Sequence, residues 1–146
     1  MTGGQFSPLS GCGIEATTAP FSTIDTAFDA VELAKGAGAT FVARTTTYHV
    51  KELENLITRA ISHKGFSLVE VLSQCPTHFG RRNGAPEAVQ MLEEFKKGTA
   101  PLGSKKLEGD EDLLPRGVFV EREVPEYCDS YRKMLSKLEG SEEPVP

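Results

Sequence analysis

No stretch of this 146-residue chain approaches the apolar run of about 18 residues that a membrane span requires. Met1-Thr-Gly-Gly also lacks the basic and apolar regions of a secretory signal. Positive charge is in the minority: 16 basic against 21 acidic residues give a net charge of -5, which repels phosphate backbones and anionic lipid. Nucleic acid and membrane are therefore not expected partners, and the expected compartment is the cytoplasm. Cysteine is scarce. Cys12, Cys75 and Cys128 are odd in number and widely spaced, which fits neither a disulfide framework nor a self-contained metal site. An apolar fraction of 38% with fourteen glycines and nine prolines implies much irregular backbone, so loops should carry much of the chemistry.

What is present starts with a loop. Residues 1–24 combine Gly3-Gly4, Gly11, Gly13, Pro8 and Pro20 with many Ser and Thr and show no apolar periodicity. Asp29 and Glu32 suit a capping pair for a short helix through Val31 and Ala34. Thr40-Phe-Val-Ala-Arg44 reads as a buried strand. Val50, Leu53, Ile57 and Ile61 then form one apolar helical stripe, with Lys51, Glu52, Glu54 and Arg59 facing away. His63 and Lys64 suit that helix's negative end, and Gly65 suits its stop. Ser67-Leu-Val-Glu-Val-Leu-Ser73 reads as a second strand, ended at Gln74-Cys75-Pro76.

Strand, helix, strand in this spacing is the crossover unit of a parallel sheet, which puts the chain in the α/β class. A further helix is expected from about Pro86 to Lys97 through Val89, Leu92 and Phe95. Gly98 to Pro115 is polar and turn-rich and reads as a linker. Gly117-Val-Phe-Val-Glu-Arg-Glu suits a late strand or extended arm, and Glu126 to Leu138 a terminal helix through Tyr127, Tyr131, Met134, Leu135 and Leu138. Three strands at most are visible, so the chain looks like part of a larger sheet.

Met1-Thr-Gly-Gly-Gln5 offers small residues and free backbone N–H groups, the kind of turn a phosphate can approach closely. A flexible glycine-rich segment is the plain alternative. Cys75 falls just past the C-terminal end of a parallel strand, the edge where open α/β folds place reactive groups. A small buried thiol is the plain alternative there. Thr77, His78, Arg81, Arg82 and Asn83 follow it and suit carboxylate or phosphate contacts, unless they form an ordinary solvated loop.

Five ordered blocks closely resemble the β subunits of 2-oxoacid:ferredoxin oxidoreductases. They are Met1-Thr-Gly-Gly-Gln-Phe-Ser-Pro8, Phe28-Asp-Ala-Val-Glu-Leu-Ala34, Ala37-Gly-Ala-Thr-Phe-Val-Ala-Arg44, His63-Lys-Gly-Phe-Ser67 and Val69-Glu-Val-Leu-Ser-Gln-Cys-Pro-Thr77. The resemblance implies the C-terminal half of a thiamine-diphosphate-binding domain, a parallel sheet flanked by helices, over residues 1–97, with 98–146 as linker and C-terminal tail. Gln74-Cys-Pro-Thr-His-Phe-Gly-Arg-Arg-Asn83 is most similar to the 2-oxoglutarate branch and favours 2-oxoglutarate over pyruvate as substrate.

In that family thiamine diphosphate supplies the ylid that attacks the 2-oxo carbon. CO2 leaves, electrons pass to iron–sulfur clusters and ferredoxin, and coenzyme A takes the acyl group. By resemblance, Thr2, Gly3 and Gln5 line the cofactor site. Cys75 resembles the remote fourth ligand of a [4Fe–4S] cluster. A lysine near the position of Lys51 has been linked to coenzyme A in some members, although here Lys51 falls on the solvated helix face. The resemblance also implies Mg2+ and an α subunit as partner.

The family's Gly-Asp-Gly metal motif, its downstream Asn and its three N-terminal cluster cysteines have no counterpart in this sequence. The isolated chain is therefore expected to hold neither magnesium–thiamine diphosphate nor a complete cluster. A truncated or split catalytic subunit and a non-catalytic remnant or binding module both fit these departures.

Overall fold

A computed structural model describes residues 2–139, with the side chains of Thr2 and Glu139 outside the description. After the long N-terminal loop the chain enters α1 (Ala30–Gly36), where the Asp29 carboxylate accepts the N–H groups of Val31 at 2.9 Å and Glu32 at 3.2 Å. Asp29 thus caps as expected, while Glu32 turns to Lys35 at 2.7 Å instead of closing a reciprocal box. Burial alone would raise the Asp29 pKa. The Glu32 N–H and the Arg44 guanidinium outweigh it and hold the carboxyl below its ordinary 3.8.

Strand β1 (Phe41–Thr46), helix α2 (Val50–Ser62) and strand β2 (Ser67–Leu72) form the expected crossover, with β1 and β2 parallel from Phe41↔Ser67 to Thr46↔Leu72. The strand expected over 40–44 begins one residue later and continues to Thr46. Its last two residues are threonines that do not look apolar, yet both are fully buried. Thr45 Oγ1 donates to Glu52 at 2.8 Å and Thr46 Oγ1 shares a 2.8 Å hydrogen bond with His49, so their hydroxyls are satisfied inside.

Helix α3 (Ala88–Lys97), strand β3 (Thr99–Pro101), the one-turn helix α4 (Lys106–Gly109), strand β4 (Leu114–Glu121) and helix α5 (Tyr127–Glu139) complete the order. The strand order is β2-β1-β4-β3. The sheet is mixed: β1/β2 and β3/β4 are parallel, whereas β4 runs antiparallel to β1. The segment read as linker therefore supplies β3 and the start of β4, and the stretch from Gly117, read as a late strand or an extended arm, is a strand. Gly98 to Pro115 lacks apolar periodicity because β3 is only three residues long and needs no more than one buried side chain, Ala100.

An extra residue, Phe119, bulges from β4 between the partners of Val42 and Ala43. Its ring lies under the Arg44 guanidinium at 5.5 Å. Arg44 sits in the middle of β1, buried, paired to Glu70 of β2 at 2.5 Å and to Asp29 at 2.6 Å. A buried arginine is tolerated because both its charge and its donors are met.

The core has one cluster on each face of β1. Val31, Ala34, Ala39 and Val42 join α1 to the sheet; Phe41, Ala43 and Leu56 join α2 to it. The α2 stripe read as core is only marginal to it. Leu56 is the buried residue, whereas Val50 is 64%, Ile57 42% and Ile61 80% exposed. In α3, likewise, Met91 is buried and Val89 exposed. Among the described residues no helix is long and apolar enough to cross a membrane.

Candidate functional site

The two parallel strands end together. Thr47 N–H bonds to the Leu72 carbonyl at 2.9 Å, and Thr47 Oγ1 donates to Gln74 Oε1 at 2.7 Å, so the chain leaves β2 on a tethered loop. Cys75 lies three residues beyond the strand, at the C-terminal edge of the parallel pair, as expected.

Pro76–Gly80 then folds as a single π-turn, in which Gly80 N–H bonds back to the Cys75 carbonyl at 2.9 Å. This turn aims the Phe79 and His78 N–H groups at the Cys75 sulfur. They are the largest of the effects that lower its pKa from the ordinary 9.0 to about 7 against the opposing effect of burial. Gly80 is required for the turn's packing. A Cβ there would lie 2.0 Å from the Ala85 carbonyl oxygen and 3.1 Å from Met91 Sδ.

The glycine turn Thr2–Gly4 packs against this π-turn. Gly3 and Gly4 have φ of 64° and 75°, a pair that glycine adopts at little cost. A Cβ on Gly4 would meet Thr17 Oγ1 at 2.4 Å and His78 Nδ1 at 3.2 Å, while one on Gly3 would meet nothing within 4 Å. Gly4 is therefore the clamped residue and Gly3 the open one. Gln5 is exposed.

The loop after this turn is fastened to the same place. Thr17 N–H bonds to the Gly4 carbonyl at 2.7 Å, and Arg82 reaches Thr17 Oγ1 at 3.3 Å. Asn83 accepts from Glu15 N–H at 2.9 Å and donates to the Glu15 and Phe79 carbonyls. Arg82 and Asn83, read as anion contacts, are thus fasteners of the loop. Arg81 and Thr77 remain exposed. Nothing in the sequence signalled this, because the partners lie 65 and 68 residues away.

Cys75 also borders an apolar cavity of about 340 Å3 whose walls include Leu9, Ile14, Leu72, Phe79, Met91 and Phe95. A second cleft, about 630 Å3, lies elsewhere, between the end of α2 and the end of β4, with Arg59, His63, Lys64 and Glu121 in its wall. Arg59 and Glu121 pair with each other there. His63 is held by Thr40 Oγ1 at 2.7 Å. That cleft sits at the opposite end of the parallel strands from Cys75, so the ligand-bearing edge of the sheet is the better candidate. Lys51 is exposed on the first turn of α2.

The arrangement fits a diphosphate at one point: the open Gly3 turn lets an oxyanion approach backbone N–H groups. It does not fit the rest of the metal-dependent site. Among the described residues no three His, Cys, Asp or Glu side chains converge on one point. Neither a magnesium ion nor an iron–sulfur cluster finds a full ligand set there.

Residues 1–71 match the family "Thiamine pyrophosphate enzyme, C-terminal TPP binding domain". Over 143 residues the chain is 39% identical to the 2-oxoglutarate synthase subunit KorB of Methanocaldococcus jannaschii, covering 96% of this chain and 53% of that protein. It is 35% identical to the 2-oxoacid:ferredoxin oxidoreductase subunit beta of a Sulfolobus species, covering 87% of this chain and 47% of the relative. A solved 2-oxoglutarate:ferredoxin oxidoreductase from Magnetococcus marinus, with 2-oxoglutarate, coenzyme A and succinyl-CoA bound, shares the fold. Its TM-score is 0.77 at 22% identity, over 98% of this chain and 50% of that one. The chain thus spans about half the length of the relatives it matches.

Proposed function

We propose that the chain is the C-terminal half of a 2-oxoacid:ferredoxin oxidoreductase β subunit, on the ground that residues 1–71 match the C-terminal TPP-binding-domain family of thiamine pyrophosphate enzymes and that the chain resembles 2-oxoglutarate synthase subunit KorB over nearly its whole length. Its assembly decarboxylates a 2-oxoacid, with 2-oxoglutarate favoured, and yields acyl-coenzyme A and reduced ferredoxin. It acts in the cytoplasm together with an α subunit. The observation that carries the reading is the juxtaposition of the Gly3-Gly4 turn and the Cys75 π-turn at one edge of the parallel strands.

In this reading residues 1–97 are the cofactor-domain portion and the later segment closes the sheet beside it. Thr2, Gly3 and Gln5 line the diphosphate end of the cofactor. Bound thiamine diphosphate supplies the carbon nucleophile and electron sink. This chain's share is positional: Thr17 and His78 hold Gly4 so that the backbone at Gly3 faces outward. Cys75, kept near thiolate by two backbone N–H groups, offers one sulfur to a [4Fe–4S] cluster whose other ligands come from outside the described residues.

The test is reconstitution. The chain, co-expressed with the missing half of a β subunit and with an α subunit, should reduce ferredoxin in a thiamine-diphosphate- and coenzyme-A-dependent reaction with 2-oxoglutarate. In the same complex Cys75→Ser should change the cluster's EPR signal. An inert complex overturns the catalytic reading in favour of a non-catalytic remnant or binding module, and an unchanged spectrum removes Cys75 from the ligand set.

A further inference from the structure

We propose that the cleft between the end of α2 and the end of β4 binds a free α-amino acid in its zwitterionic form. The inference goes beyond the half-subunit reading and does not depend on it, because the cleft lies at the other end of the parallel strands from the Gly3 turn and Cys75. Three observations carry it.

The first is how the walls are built. Arg59, Ser62, His63 and Lys64, from the last turn of α2 and the residues after it, form one wall. Glu121, Glu123 and Val124, from the end of β4 and the chain beyond it, form the other. The space between them, about 630 Å3, is in the size range of small-molecule sites. The Arg59–Glu121 ion pair joins the two walls, and the Arg59 guanidinium lies 5.7 Å over the ring of the fully buried Phe41. Gly65, with φ of 135°, brings the first wall against the sheet: a Cβ there would lie 2.3 Å from Thr40 Oγ1.

The second is the balance of charge. Arg59 and Lys64 place two positive charges in the walls, Glu121 and Glu123 two negative ones. Arg59 and Glu121 satisfy each other. Lys64 on one wall and Glu123 on the other are then left, neither in an ion pair among the described residues. Two glutamates oppose a phosphate or a dicarboxylate, and two cations oppose a polyamine. Among the described residues no three His, Cys, Asp or Glu side chains converge to hold a metal ion. The ligand that meets both remaining charges carries one of each sign.

The third is the state of His63. Thr40 Oγ1 has a single proton, and it donates this to the Phe66 carbonyl at 3.2 Å. The 2.7 Å hydrogen bond between Thr40 Oγ1 and His63 Nε2 is therefore donated by the imidazole. The neutral ring carries its proton on Nε2, turned toward the buried Thr40, and keeps Nδ1 as an acceptor for the cleft. In the complex the ligand's ammonium group donates to Glu123 and to His63 Nδ1, while its carboxylate takes Lys64 and the Ser62 hydroxyl. Val124 is the one apolar residue in the walls, so the cleft reads the charged end common to all α-amino acids.

The test titrates the full-length, 15N-labelled chain with L-alanine, and separately with acetate and methylamine as probes carrying one charge each, at constant ionic strength. L-Alanine should move the amide resonances of Ser62, His63, Lys64, Glu123 and Val124 along one saturable curve. Acetate and methylamine should each bind at least about tenfold more weakly, because each leaves one wall unmatched. Lys64→Gln and Glu123→Gln alter exposed side chains and should each weaken L-alanine binding by about tenfold or more, whereas Lys106→Gln on α4 should leave it unchanged. The absence of saturable shifts would overturn the inference, as would acetate or methylamine binding as well as L-alanine. So would binding that survives either substitution in the cleft, or shifts centred on Gly3 and Cys75.

Discussion

At Cys75 the Phe79 and His78 N–H groups are the largest of several effects that draw a thiol toward its ionised form. A thiol of pKa 9.0 is roughly 1% thiolate at pH 7, whereas one at about 7 is half ionised. Because the shift is downward, the thiolate fraction rises through neutral pH instead of two units higher. Alkylation of Cys75 by iodoacetamide, followed site by site by mass spectrometry, should reach half its maximal rate near pH 7. A midpoint near 9 would show that the π-turn does not direct its N–H groups at the sulfur. The position of Cys75 after a parallel strand was legible in the sequence. Its acidity was not, since a π-turn has no local signature and depends on Gly80 fitting under Ala85.

Among the elements, α2 separates what a stripe predicts from what a fold buries. Val50, Leu53, Ile57 and Ile61 repeat at helical spacing, yet the sheet beneath them covers only the side that carries Leu56. Leu56→Ala should therefore cost about 2–5 kcal/mol through the cavity it leaves between Phe41 and Ala43. Ile61→Glu should move stability by less than about 0.5 kcal/mol. Urea unfolding of both variants checks the pair, and equal losses would contradict the packing described for α2. Periodicity identified the helix correctly because it depends on 3.6 residues per turn. It could not rank the residues along an apolar face wider than the surface that meets it.

At the scale of the whole molecule, β4 decides where the folding unit ends. The strand lies between β1 and β3 and buries one side of β1, so the stretch 99–121 is a structural partner of the preceding segment. A chain ending at Lys97 should lose β1's antiparallel partner and with it the Arg116–Glu52 and Arg59–Glu121 pairs. It should show little cooperative unfolding by circular dichroism. A sharp urea transition in that fragment would mean that 1–97 folds by itself. Eight residues such as Leu114–Glu121 resemble an extended arm in sequence, because Pro115 and Gly117 interrupt the alternation that marks a strand.

The class, the crossover unit, the Asp29 cap and the resemblance to 2-oxoacid:ferredoxin oxidoreductase β subunits were all legible in the sequence. All of these depend on local spacing or on ordered short blocks. Only the tertiary structure decided that the sheet is mixed, that Asn83 and Arg82 fasten the N-terminal loop, and that Gly4 is wedged between Thr17 and His78. It also decided that the end of α2 and the end of β4 face each other across one cleft. These arise from contacts across tens of residues, where the chain's path through space, not its local pattern, brings the groups together.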